Sequence, residues 1–429
     1  MRDSGDCPGR EAYGGRTARA VGARREASPL DRLLAANPLG AVRRRDALKV
    51  LAAIMAEWWL PRRLFAQRPA PASPLSARPD RKVIVVTFGG GVRYEDSLAP
   101  SGWANIPHLA NELVPQGLVY PVARYDGITG HFNSTGALVT GCRQEVDAYG
   151  SEAPVTPTIF ELFRKQHDLP AEQAWVIATN KSFSLMGGSK LRDYGDPYSA
   201  NVILPKQLLI ETIKSAVSTD AGPGVEDRRV LAERMMLALD EGYEGFGWKV
   251  FEAGRNLGPE LKATLAKSLL DYFNDPMVPT SGDELTYFMT KEIMNRLAPS
   301  LVVVNFWDID IAHYGAYSLY LEAIRRTDRL VHELWGHAQS LPQYKDKTTL
   351  LVVPELGRDG DMLGNGFANH RSGDESCRRV WLVALGAGVP RGAGTERPIK
   401  TTDVAPTVAR ILGVKMPDCE GQPLPELAF

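Results

Sequence analysis

The chain has 429 residues, of which 44% are hydrophobic and 24% charged, so it is globular, with length for one large α/β domain or two ordinary ones. The net charge of -1 hides an asymmetry: residues 1–82 carry 17 Lys/Arg against 8 Asp/Glu, and the remainder carries 33 against 43. An acidic body argues against general nucleic-acid binding, which needs a basic face to neutralise phosphates. The four cysteines, Cys7, Cys142, Cys377 and Cys419, show no CxxC spacing, which argues against a zinc ribbon or a thioredoxin-like site. A Cys377–Cys419 disulfide and buried free thiols are both open.

In chain order, residues 1–41 are rich in Gly, Arg, Ala and Pro and lack hydrophobic periodicity. They read as disordered, or as sequence upstream of the true start. Then Arg43-Arg44-Arg45-Asp46-Ala47-Leu48-Lys49 precedes the apolar run 50–60, and small residues follow at Ala70-Pro71-Ala72. Residues 42–72 therefore resemble a twin-arginine export signal, with Val42 as a candidate start. That resemblance implies delivery by the twin-arginine export machinery to the periplasm or outside, and passage in the folded, metal-loaded state. Residues 73–81 read as a linker.

From residue 82 onward, apolar runs at 82–88, 175–179, 301–306, 349–353 and 380–385 are short, rich in Val and Ile, and do not alternate. This is the pattern of strands buried on both faces. Helical patterns separate them at 106–114, at 158–166 after Thr156-Pro157, at 318–340, and at 403–412 with Asp403 as the expected N-cap. Strands alternating with helices predict an α/β fold with a doubly wound, mostly parallel sheet, whose ligands sit beyond the C-terminal strand ends. The stretch 184–298 breaks the alternation and reads as a helical insertion or cap between 82–183 and 299–429.

The chemistry-bearing residues follow strands. Asp308, Asp310 and His313 lie just after the run 301–306, and His370 lies in Asn369-His370-Arg371-Ser372-Gly373. Carboxylates and imidazoles gathered this way are what a divalent metal needs. Asp308 or Asp310 could equally cap a helix, and the histidines could be hydrogen-bonded structural residues. Glu355, after Pro354, is a ligand or a salt-bridge partner. Gly89-Gly90-Gly91 serves as an anion cradle or a tight turn, and Arg93 as a phosphate or sulfate ligand or a surface salt bridge.

The order of these motifs resembles the alkaline phosphatase superfamily, from about residue 82 to 425. The likeness is most specific at Lys400-Thr401-Thr402-Asp403-Val404-Ala405-Pro406-Thr407, Leu412-Gly413-Val414 and Gly421-Gln422-Pro423-Leu424. The resemblance implies two metals, one activating a Ser, Thr or formylglycine nucleophile and one stabilising the opposite oxygen. Carried over, one metal site keeps His313, His370 and either Asp308 or Asp310. The other site is depleted. Glycine replaces its first Asp within Phe88–Arg93, Glu355-Leu356 replaces an Asp-His pair, and the nucleophile position falls on His131, with Ser134 and Thr135 nearby. His131 would be a ligand, a general base or a phosphoryl carrier. Ser134 would touch substrate or cap a helix.

The expected function is a hydrolase of phosphate or sulfate esters holding one divalent ion per chain, zinc or a similar one, with Glu355 or His131 moving the proton. The alternative is a catalytically inactive relative acting as a binding or scaffold protein.

Overall fold

The computed structural model describes residues 80–429 except 148–149, 219–252, 276, 362–363 and 372. The proposed export signal and the segment before it lie outside the described residues.

Each expected apolar run is a strand within a residue or two of its predicted bounds. They are β1 (Lys82–Phe88), β3 (Ala174–Ala178), β6 (Leu301–Phe306), β7 (Thr348–Pro354) and β8 (Arg379–Gly386). Five further strands complete one sheet: β2 (Gly117–Arg124), β4 (Asn201–Ile203), β5 (Gly254–Arg255), β9 (Ala393–Gly394) and β10 (Ile399–Lys400). The order is β10-β2-β8-β7-β1-β6-β3-β4-β5, with β9 pairing β2. β7, β1, β6, β3 and β4 are mutually parallel. β8 is antiparallel to both β7 and β2. Every residue of β1, β3, β6 and β7 is buried, which explains the unbroken Val/Ile runs: both sheet faces are covered.

Seven α-helices are found among the described residues. They are α1 (His131–Thr140), α2 (Ile159–His167), α3 (Pro205–Ser218), α4 (Pro259–Phe273), α5 (Gly282–Leu297), α6 (Tyr317–Ser340) and α7 (Val404–Leu412). α2 starts one residue after the expected start at 158. Thr158 caps it, accepting from Glu161 N while the Glu161 carboxylate accepts from Thr158 N at 2.7 Å, a reciprocal box. Asp403 holds the N-cap position of α7 but does not cap it with its side chain. Its two oxygens accept instead from Lys400 N (2.9 Å) and Gln422 N (2.8 Å), tying the final segment to the sheet edge. The pattern at 106–114 is helical as expected but irregular: Leu109–Leu113 is a wide π-helical turn, followed by a 3₁₀ turn at Val114–Gln116. The described part of 184–298 supplies helices α3, α4 and α5, and also β4 and β5, which extend the sheet past β3. Cys142, Cys377 and Cys419 form no disulfide.

Strand register positions the site. Phe88 of β1 pairs with Phe306 of β6 and with Pro354 of β7, so the three central strands end at one level. Gly89, Trp307 and Glu355 therefore emerge side by side. The glycine triplet is the tight turn rather than an anion cradle. Gly90 has φ +87°, and a Cβ there would lie 2.4 Å from Asp310 N. Its N–H is committed to Glu355 Oε1 at 2.8 Å. Gly90→Ala should cost at least about 2 kcal/mol from the left-handed backbone and the clash together, read as a lowered urea midpoint. A change within about 0.5 kcal/mol would show that the loop gives way freely.

Candidate metal centre

Four ligand side chains converge beyond the ends of β1, β6 and β7. Asp310 and His313 come from the 3₁₀ turn Asp308–Tyr314 that follows β6. His131 is the first residue of α1, and His370 follows the 3₁₀ turn Gly366–Ala368. One donor atom from each of the four lies within 4.8 Å of all the others. Asp310 Oδ1 is 3.3 Å from His131 Nε2 and 3.1 Å from His313 Nε2, and His313 Nε2 is 3.1 Å from His370 Nε2. Donors around a tetrahedral zinc with bonds of 2.0–2.1 Å are separated by about 3.3 Å, so these three edges match such an ion.

The tautomers are set from behind. His370 Nδ1 lies 2.8 Å from the Thr129 carbonyl, so that nitrogen carries the proton and Nε2 keeps its lone pair. Burial, with the charges of His131 and Arg358, pushes His370 far below the usual imidazole range and keeps it neutral. His131 Nδ1 lies 2.5 Å from Glu355 Oε1 and donates to it. His131 Nε2 is buried and makes no hydrogen bond of good geometry. An orphaned imidazole nitrogen aimed at a carboxylate and two further imidazoles is the polar atom a metal ion would satisfy. The carboxylate–His131 arrangement is the outer-sphere support that metal-binding histidines receive. With three nitrogens, one oxygen and no thiolate, the donor set fits zinc or a neighbouring divalent ion.

Asp310 is buried, which opposes its charge. His131, His313 and the Arg358 guanidinium outweigh that and hold its carboxyl well below the usual range. Arg358 is fully buried. Its Nη2 donates to Asp310 Oδ1 at 2.8 Å and to the Gly90 carbonyl, its Nε to Gly91 O at 3.1 Å and its Nη1 to Phe367 O at 3.0 Å.

Burial also opposes a charge on His131, but Asp310 and Glu355 prevail and raise it to about 9. In the metal-free protein this raised value stabilises the fold fully below pH 6.5, and the contribution is lost as pH climbs through 9. Its size is about 3 kcal/mol by linkage. Urea unfolding of chelator-treated protein at pH 6 and pH 9.5 should show that loss in the wild type and not in His131→Gln. Parallel behaviour of the two proteins would contradict it. Metal uptake has the opposite sign, since it requires Nε2 without its proton, and so strengthens as pH rises.

The structure resolves the choice between the two aspartates at the cluster in favour of Asp310. Asp308 points away: its Oδ2 pairs with Arg326 Nη1 at 2.8 Å, and its N–H donates to Asp283 Oδ2 at 3.0 Å. Four other residues also have partners of their own. Arg93 is buried and ion-paired through Nε to Asp96 at 2.5 Å, with its guanidinium over Tyr317 and Phe367, so it is neither a surface bridge nor placed to meet a substrate. Ser134 Oγ donates back to the carbonyls of Gly130 and His131 at 3.1 Å and is buried, so it neither meets substrate nor acts as a nucleophile. Thr135 Oγ1 donates to Glu355 Oε2 at 2.8 Å. Glu355 is fully buried beneath four donors, the Gly90 N–H, Thr135, Asn305 and His131, and acts through His131 rather than on a substrate. Two residues had no assigned role in the sequence. Arg358 stood inside a quoted segment, but its partners are carbonyls that only the folded glycine turn supplies. Arg371, exposed beside His370, brings Nη2 to 3.7 Å from where a Cβ of Gly130 would lie, at the entrance to α1.

No family model matches the sequence, and no curated protein sequence matches it. Among solved structures, the wild-type alkaline phosphatase PafA superposes with a TM-score of 0.50 at 12% identity, covering 83% of this chain and 100% of PafA. The fold is like that of this alkaline phosphatase. Other solved structures that match are the lipoteichoic acid synthase LtaP from Listeria monocytogenes (TM-score 0.46, 10% identity, 79% of this chain and 73% of that one) and the phosphonate monoester hydrolase SpPMH from Silicibacter pomeroyi (0.44, 16%, 80% and 75%). Within this alkaline phosphatase-like framework, the retained cluster lies at the ends of the central strands, where open α/β sheets bind their ligands.

Proposed function

We propose that the chain is a metal-dependent hydrolase of phosphate or sulfate esters that works from a single-ion site. The observation that carries this reading is the buried, orphaned His131 Nε2 facing Asp310, His313 and His370. Asp310, His313 and His370 would hold the ion, which when bound supplies Lewis-acid polarisation of an ester oxygen. By the sequence resemblance, His131 would stand at the nucleophile position. In this reading the ion sits on the other three side chains, and His131, its ring fixed by Glu355 through Nδ1, keeps Nε2 off the ion and would move the proton. Trp307 packs edge-on against the same ring, with centroids 4.4 Å apart, and restricts water on that side. Arg371 is the exposed cation beside the site and would meet the ester anion. Arg358 would hold Asp310 in place. The purified protein should hydrolyse at least one aryl phosphate, sulfate or phosphonate ester, lose that activity on chelation, and regain it with zinc.

A second reading rests on the same distances. Four protein donors at tetrahedral spacing are the complement of a closed, structural ion, which would make the chain a binding or scaffold protein. Stoichiometric metal with no turnover across the ester panel would favour it.

Export is part of the proposal and rests on Arg43-Arg44-Arg45 and the apolar run 50–60. A reporter fused to residues 42–72 should reach the periplasm through the twin-arginine machinery. Retention unchanged by Arg43–Arg45→Lys replacement would sink it.

A further inference from the structure

A second group of ligand side chains lies outside the site described above, where the turn Leu109–Leu113 meets α6. His108 and Glu112 are four residues apart and share one face. His108 Nδ1 is 2.7 Å from Glu112 Oε1, and His332 Nε2 of α6 is 3.1 Å from Glu112 Oε2. The two imidazoles stack with centroids 4.5 Å apart at 14°, so both present a ring nitrogen to the same carboxylate. One donor atom from each of the three lies within 4.8 Å of the others.

The arrangement is built from below. Asp328, one turn before His332 on α6, accepts from His108 N and Leu109 N, both at 2.8 Å. Its fully buried side chain thus fixes the register of the turn against the helix that carries His332. The side chains of His108 and His332 are 34% and 36% exposed, so an ion reaches them directly from solvent. Two imidazoles and one glutamate are a known zinc donor set that leaves a position open for water.

We infer that His108, Glu112 and His332 form a second, surface site for a borderline divalent ion such as zinc, which pins the turn Leu109–Leu113 to α6. The site is independent of the buried cluster and of any catalysis there.

The test is calorimetric titration of metal-free, full-length protein with zinc, in three forms. Wild type should bind two ions per chain. His108→Ala/His332→Ala should bind one, and His313→Ala/His370→Ala should bind one. Both surface positions are partly exposed, so the first variant keeps its circular dichroism. In the His313→Ala/His370→Ala protein, zinc should still raise the melting temperature by about 2–4 °C, and adding His108→Ala should abolish that rise. The inference is overturned if His108→Ala/His332→Ala binds as many ions as wild type. A wild type that binds one ion, lost in His108→Ala/His332→Ala and kept in His313→Ala/His370→Ala, upholds the surface site and removes the buried one. The reverse pattern removes the surface site alone.

Discussion

Replacing His313 and His370 together by alanine is expected to remove one divalent ion per chain and with it all ester hydrolysis. Each imidazole contributes an Nε2 to the cluster, and the two stand 3.1 Å apart. With the His370 proton on Nδ1, its Nε2 lone pair can accept from His313 in the metal-free protein, and a bound cation would draw both lone pairs instead. With both gone, Asp310 and His131 remain, too few donors to retain an ion against water. The activity should fall at least about 1000-fold, because charge stabilisation by a bound ion supplies several kcal/mol and each 1.36 kcal/mol is a factor of ten. Elemental analysis and ester turnover on the same preparations check both halves. A double variant that keeps its full metal content would place the ion elsewhere.

Arg358→Met should be the most damaging single substitution to stability, at about 3–5 kcal/mol. The guanidinium is fully buried and answers the Gly90, Gly91 and Phe367 carbonyls and the Asp310 carboxylate. Methionine fills part of the volume but leaves three buried carbonyls without this donor and takes one of three cationic or imidazole partners from Asp310. This cation sits between the segments that, by resemblance, would have held the second ion: the first-strand turn, now glycine, and the segment after β7, now Glu355-Leu356-Gly357-Arg358. By that resemblance, a fixed positive charge would stand where the second ion's ligands are missing. Urea unfolding would show the loss as a reduced midpoint with an unchanged slope. A change below about 1 kcal/mol would mean that water or a neighbouring side chain replaces the guanidinium.

The sheet was legible because its central strands are covered on both faces, so β1, β3, β6, β7 and β8 each read as an unbroken apolar run. β2 escaped because Pro121 and partly exposed residues interrupt it. β4 and β5 are too short to carry a pattern; β4 takes its place from pairing with β3, and β5 from pairing with β4. At the site, His313 and His370 were legible from their place after strands, and His131 from its place in motif order. The choice between Asp308 and Asp310 was not, because the two share one turn and differ only in which side chain faces the strand ends. Arg93 and Ser134 misled for a common reason. Charged and hydroxylic residues near a site read as ligands, while the local partners that occupy them, Asp96 in one case and the α1 carbonyls in the other, carry no sequence signal.

The most direct test is ester hydrolysis by metal-free His108→Ala/His332→Ala protein, measured as zinc is added in known equivalents. Removal of the surface ligands leaves the buried cluster as the site under titration. Activity should rise linearly and stop at one equivalent per chain, the number Asp310, His313 and His370 can hold. A break at two equivalents, or no turnover at any zinc concentration, would contradict a single-ion hydrolase.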